Sequence, residues 1–109
     1  MTIDGSYHVF MTIPNPSKDG TFFDGEVDFI LQGQPDGTLT GTAKAPGPGE
    51  PAPIKKGYYT GSEFMQIVFT VGPGAWEIWA RVGENGDVTG IVSMNGEGMP
   101  NKVTGKKLS

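Results

Sequence analysis

The chain has 109 residues, enough for a single domain with one modest hydrophobic core. Its 12 acidic and 8 basic residues give a formal net charge of −4, which argues against nucleic acid or an anionic membrane surface as a partner, because both need clustered Lys and Arg. No cysteine is present, so disulfides and thiolate chemistry are excluded. Met1-Thr2-Ile3-Asp4 enters a turn without a basic segment or an apolar run, and a cytoplasmic protein without a membrane span is expected.

With 18 glycines and 9 prolines, the chain has turn formers at short intervals, and no segment keeps a helical period. Asp4-Gly5 opens a first strand, Ser6 to Ile13, in which Tyr7, Val9, Met11 and Ile13 share one face. Pro14 and Pro16 stop it. A second strand runs from about Phe22 to Gln32, with Val27, Phe29 and Leu31 on one face. Gln34-Pro35-Asp36-Gly37 is a hairpin turn, since proline presets its own φ and glycine takes the positive φ that follows. The third strand, Thr38-Leu39-Thr40-Gly41-Thr42-Ala43, alternates Leu39, Gly41 and Ala43 with three threonines. That is the pattern of a half-buried antiparallel strand.

Ala45 to Pro51 is too rich in Pro and Gly for regular structure and reads as a loop at a barrel mouth. A fourth strand spans Pro53 to Thr60. Thr60-Gly61 turns into a fifth, Ser62 to Val71, and Gly72-Pro73-Gly74 turns into a sixth, Ala75 to Val82. Asp87 to Met94 forms a seventh strand, Asn95 to Pro100 a loop, and Lys102 to Leu108 an eighth. Eight short strands in series predict an all-β, up-and-down antiparallel barrel, the closed form by which such a sheet removes its exposed edges. Gly41 and Gly90 sit at equivalent places in two runs, Val27/Phe29/Leu31 lines up with Trp76/Ile78/Ala80, and Gly5-Ser6 with Gly61-Ser62. A duplicated four-strand unit and chance recurrence in a glycine-rich chain both account for this.

The motif Asp36-Gly37-Thr38-Leu39-Thr40-Gly41-Thr42, with a glycine-led first strand and the glycine-flanked Tyr58-Tyr59, resembles the calycin superfamily of lipocalin-like and avidin-like barrels, particularly short bacterial members. The resemblance implies that Leu39, Gly41 and Ala43 face inward. It does not carry over the polar contacts of a biotin site, since Ala43 stands where one is needed.

Taking Leu39 as the inward reference gives an apolar inner list: Tyr7, Val9, Met11, Ile13, Val27, Phe29, Leu31, Leu39, Met65, Ile67, Phe69, Trp76, Ile78, Val88, Val92 and Val103. Small inner residues such as Gly41, Ala80 and Gly90 either compensate for bulky neighbours or leave a pocket; an eight-stranded barrel allows both. If open, the pocket is lined by Trp76, Phe29, Met11, Met65, Met94, Leu39 and Ile78. The outward list carries six large apolar residues, Phe10, Ile30, Phe64, Val68, Trp79 and Ile91, which suggest a homodimer interface.

His8, the single histidine, makes neither a metal site nor a Ser-His-Asp triad, so no metal and no cofactor is expected. One constellation suits acid–base work. Phase places Tyr7, Lys55, Tyr59 and Glu63 toward the interior near one rim, where Lys55 and Glu63 either move a proton or form a solvated ion pair. Three functions follow. The first is binding of a small apolar molecule by a homodimeric barrel. The second is a cofactor-free isomerase, cyclase or lyase acting on a polyketide-like substrate. The third is a structural module with a filled barrel and a functional outer wall.

Overall fold

A computed structural model describes residues 3–14, 22–46, 49–71, 74–94 and 97–109. Its strands are β1 (Gly5–Pro14), β2 (Phe22–Gly33), β3 (Leu39–Lys44), β4 (Ala52–Pro53), β5 (Lys56–Thr60), β6 (Phe64–Val71), β7 (Gly74–Val82), β8 (Asp87–Met94) and β9 (Glu97–Lys107). They form one antiparallel sheet in the order β4-β3-β2-β1-β9-β8-β7-β6-β5, curled into a half-barrel.

The expected closed eight-stranded barrel is corrected here. The fourth strand divides at Ile54–Lys55 because the chain changes partner there: Ile54 N donates to the Gly41 carbonyl at 3.0 Å, whereas Lys55 N donates to the Val68 carbonyl at 2.8 Å. Pro51 and Pro53 have no N–H to extend the β3–β4 ladder, which stops after two residue pairs. Among the described residues one isolated bridge, Thr38 to Tyr58, joins the start of β3 to β5, with Tyr59 N donating to the Gly37 carbonyl at 3.0 Å. The last strand starts at Glu97 rather than Lys102. Pro100 lies within it, and the β8–β9 register shifts between Val92 and Met94.

The strand order reads alike in two halves, β3-β2-β1-β9 and β8-β7-β6-β5. Their registers agree as well: Leu31 opposes Gly41 as Ala80 opposes Gly90, and Phe29 opposes Ala43 as Ile78 opposes Val92. The hairpin turns also match. Gln34 N donates to the Thr38 carbonyl and Gly37 N to the Gln34 carbonyl, as Gly83 N does to Asp87 and Gly86 N to Gly83. Gly37 and Gly86 take φ of 91° and 86°.

Gly41 and Gly90 permit the curl. A Cβ on Gly41 would lie 1.9 Å from the Ile30 carbonyl oxygen, and one on Gly90 2.1 Å from that of Trp79. In both places the neighbouring backbone occupies the volume of the missing side chain, so the sheet bends more tightly than side chains allow.

The concave face holds the core. Each residue of the predicted inner list is buried, apart from Ile13, whose side chain lies outside the described residues. Ile3, Ala43, Ala80 and Val82 join them, and no buried polar or charged residue occurs among the described residues. The rings of Phe29 on β2 and Phe69 on β6 meet edge to face at 4.9 Å, although four strands separate them in the sheet. Opposite walls therefore touch across the interior.

Gly41→Ala and Gly90→Ala should each cost about 3 kcal/mol or more in urea unfolding, because β3 or β8 must leave its neighbour. Gly61→Ala, at φ 61° with open space around it, should cost about 1 kcal/mol. Equal losses at all three positions would remove close approach as the cause of the curl.

Candidate functional site

The side chains expected to act as an acid–base set are dispersed. Tyr7 is buried, and its hydroxyl donates to the Ile3 carbonyl at 2.5 Å. The Tyr59 hydroxyl donates to the Gln34 carbonyl at 2.6 Å, clasping β5 to the β2–β3 hairpin. Lys55 is exposed at the break between β4 and β5. Glu63 is exposed too, 3.9 Å from Arg81 on the convex face. The alternation that pointed Glu63 inward was carried through residues 61–63, which form a turn; β6 begins only at Phe64. Both tyrosine hydroxyls serve backbone carbonyls, and the lysine and glutamate face solvent.

The expected pocket-lining residues pack into the core. Phe29, Met11, Leu39, Ile78, Met65 and Trp76 are all buried, and the side chain of Met94 lies outside the described residues. Leu39 seals one end: a Cβ on Gly57 would come within 2.6 Å of its own Cβ.

The convex face carries an open groove of about 380 Å³ across β5, β6, β7 and β8. Antiparallel register builds it row by row. Tyr58, Gln66, Trp79 and Ile91 are successive cross-strand neighbours, and the next row holds Thr60, Phe64, Arg81 and Thr89. Outward side chains on strands spaced 4.7–4.9 Å put Tyr58 and Trp79 about 10 Å apart, with Gln66 between them as the floor. Tyr58, Phe64 and Trp79 are 49%, 49% and 38% exposed. The Arg81 guanidinium stands 5.7 Å over the Phe64 ring and 3.9 Å from the Glu63 carboxylate. Gln66 Nε2 donates to Glu77 Oε2 at 2.5 Å, which holds the amide in place.

The matching half of the sheet carries other side chains on the same backbone. The shared register aligns Ile30 with Trp79, Gln32 with Arg81 and Ser6 with Gln66. The fold therefore accepts an aliphatic side chain where Trp79 stands.

Of the residues expected at an interface, Phe64 and Trp79 line the groove, and Ile91 extends its apolar surface. Val68 is half-buried. Phe10 and Ile30 are exposed and lie away from the groove, Phe10 between Thr104 and Glu26, Ile30 between Ser6 and Thr42. Tyr58 completes the groove. Its outward direction follows from the alternation that turns Tyr59 inward, but a tyrosine does not stand out among large apolar residues.

His8 lies on the convex face beside Phe10, at 4.7 Å between ring centroids, and its Nδ1 contacts Asp28 while Nε2 is 3.9 Å from Glu26. Lys106 pairs with Asp87 at 2.5 Å and opposes His8 across β1–β9. This charged row separates Ile30 from the groove side of the wall. No cluster suited to a metal ion occurs among the described residues.

No protein-family model matches the chain, and no curated protein is significantly similar to it. Of the likeness to calycins, the structure shows an all-β, antiparallel, curled sheet. No helix among the described residues is long and apolar enough to cross a membrane.

Burial, and secondarily the Asp4 carboxylate, pushes the Tyr7 hydroxyl up to about 12. The folded state thus keeps this proton after the unfolded chain has begun to lose it near pH 10. Stability contributed by Tyr7 is complete below pH 10 and is lost as pH rises toward 12. Tyr7→Phe should flatten the decline in stability over that interval, measured by urea unfolding at pH steps, while lowering stability at pH 7 through the lost bond to Ile3.

Proposed function

We propose that the protein is a small-molecule binding module whose ligand occupies the convex groove of β5–β8. The reading rests on one contrast: the concave face is packed until Phe29 and Phe69 touch, while the convex face leaves Tyr58, Phe64 and Trp79 open around about 380 Å³. That volume lies within the ordinary range for ligand pockets, and a few placed polar groups among rings is their usual composition. The interior pocket expected from the sequence gives way to the outer wall as the working surface. The alternative of a cofactor-free isomerase, cyclase or lyase has no observation in its favour, since Lys55, Glu63, Tyr7 and Tyr59 do not converge. A homodimer formed through the same wall is a second reading. Ile91, 43% exposed beyond the groove, supports it, and Trp79→Glu should then shift the sedimentation coefficient from dimer to monomer.

The test of the groove is a titration with 1-N-phenylnaphthylamine, a neutral fluorescent probe. Saturable enhancement is expected, with affinity falling at least tenfold, about 1.4 kcal/mol, in Trp79→Ala and in Phe64→Ala. Trp76→Phe should leave it unchanged. Binding that survives Trp79→Ala and is lost in Trp76→Phe would return the site to the interior.

A further inference from the structure

The rim of the groove narrows the chemistry of its occupant. Around the three rings stand Thr60, Gln66, Arg81 and Thr89, with Glu77 behind Gln66. A wholly apolar ligand would desolvate these groups without replacing their hydrogen bonds, at a cost that offsets the gain from the rings. Among the lining residues an anionic ligand finds one cation, Arg81, already beside Glu63 at 3.9 Å, on a chain of net charge −4; Lys102 stands a strand beyond, opposite Ile91. Single-stranded nucleic acid would stack on the rings but needs a basic groove to carry its phosphates.

The polar set offers both donors and acceptors. Gln66 gives one N–H of its amide to Glu77 and keeps the other N–H and its carbonyl oxygen. Thr60, Thr89 and the Tyr58 hydroxyl both accept and donate, and Arg81 donates only. The matching ligand presents many hydroxyls, each able to donate and accept, and carries no charge. It also needs a flat face of C–H groups, whose partial positive charge suits the negative faces of Trp79 and Tyr58. Two strand spacings, about 10 Å, separate the backbones that carry those rings, which leaves room for one six-membered ring to lay its C–H face against either of them.

Resting on the groove as binding site, we infer that its occupant is a neutral saccharide, one pyranose ring seated between Tyr58 and Trp79 with its hydroxyls on Gln66, Thr60 and Arg81. The groove is open rather than enclosed, so a chain of sugars passes through it and neighbouring residues reach Phe64 at one end and Ile91 at the other. Stacking area supplies most of the affinity. The polar rim selects the orientation of the hydroxyls.

The experiment titrates the full chain, by calorimetry and tryptophan emission, with three neutral tetrasaccharides: a β-1,4-glucan, an α-1,4-glucan and a β-1,4-linked N-acetylglucosamine oligomer. At least one should saturate and shift the emission. Tyr58→Ala and Trp79→Ala should each weaken it at least tenfold, with Trp79→Phe retaining part of the affinity. Gln66→Leu should weaken the sugar about tenfold while leaving 1-N-phenylnaphthylamine binding intact or tighter. All four substitutions change outward side chains, and unchanged urea midpoints verify folding. Probe binding at Trp79 with no tetrasaccharide binding overturns the saccharide and leaves the groove as the site. Sugar binding indifferent to both Tyr58→Ala and Trp79→Ala also overturns it. Failure of probe and sugars alike overturns the groove itself.

Discussion

The edge-to-face contact between Phe29 and Phe69 is the constraint on which the rest of the architecture depends. Two strands with four others between them in the sheet touch only if the sheet curls back on itself. The curl comes from positions where a side chain would keep strands apart, chiefly Gly41 against β2 and Gly90 against β7. Once the walls meet, the alternate residues of eight strands form one apolar interior, and the energy of burying Tyr7, Phe29, Phe69 and Trp76 holds the curl in place. The polar atoms within that interior are few, and the Tyr7 hydroxyl, bonded to Ile3, shows how one is accommodated.

Filling the concave face turns attention to the convex one. A sheet wall is a regular lattice, and what it recognises is set by which side chains fall in adjacent places. From β3 to β8 one row of the lattice carries Lys44, Asp28, His8, Lys106 and Asp87, acidic and basic side chains side by side, an arrangement suited to solvent. Exposed pairs of this kind contribute little to stability. Around β5 to β8 the same lattice carries Tyr58, Gln66 and Trp79 in one row and Phe64 and Arg81 in the next. At the position where the groove half carries Trp79, the other half of matching register carries Ile30.

Much of this was legible in the sequence, for a definite physical reason. Strand alternation is a local property, and Leu39-Thr40-Gly41-Thr42-Ala43 reports its own inner face; carried through the other strands, that phase identifies the core. Three features depend on non-local facts and were misread. The break at Ile54–Lys55 arises because one chain serves two partners, β3 then β6, which no local pattern records. Glu63 was assigned inward because alternation was extended across a turn that does not alternate. The start of β9 at Glu97 was hidden by Pro100, which reads as a loop residue but is accommodated where the β8–β9 register shifts. Whether the interior was open or filled also lay beyond the sequence, because it depends on how closely opposite walls approach. The groove required cross-strand neighbours, so Trp79 was visible as an exposed ring while its companions Tyr58 and Gln66 were not.

The most direct measurement is a nuclear Overhauser spectrum of the chain with ring protons labelled in phenylalanine alone. A filled half-barrel predicts strong cross-peaks between the Phe29 and Phe69 rings, assigned by Phe29→Leu and Phe69→Leu. The absence of those cross-peaks, with both rings instead in contact with solvent or with an added apolar probe, would contradict the account and reopen the interior as the place where this protein works.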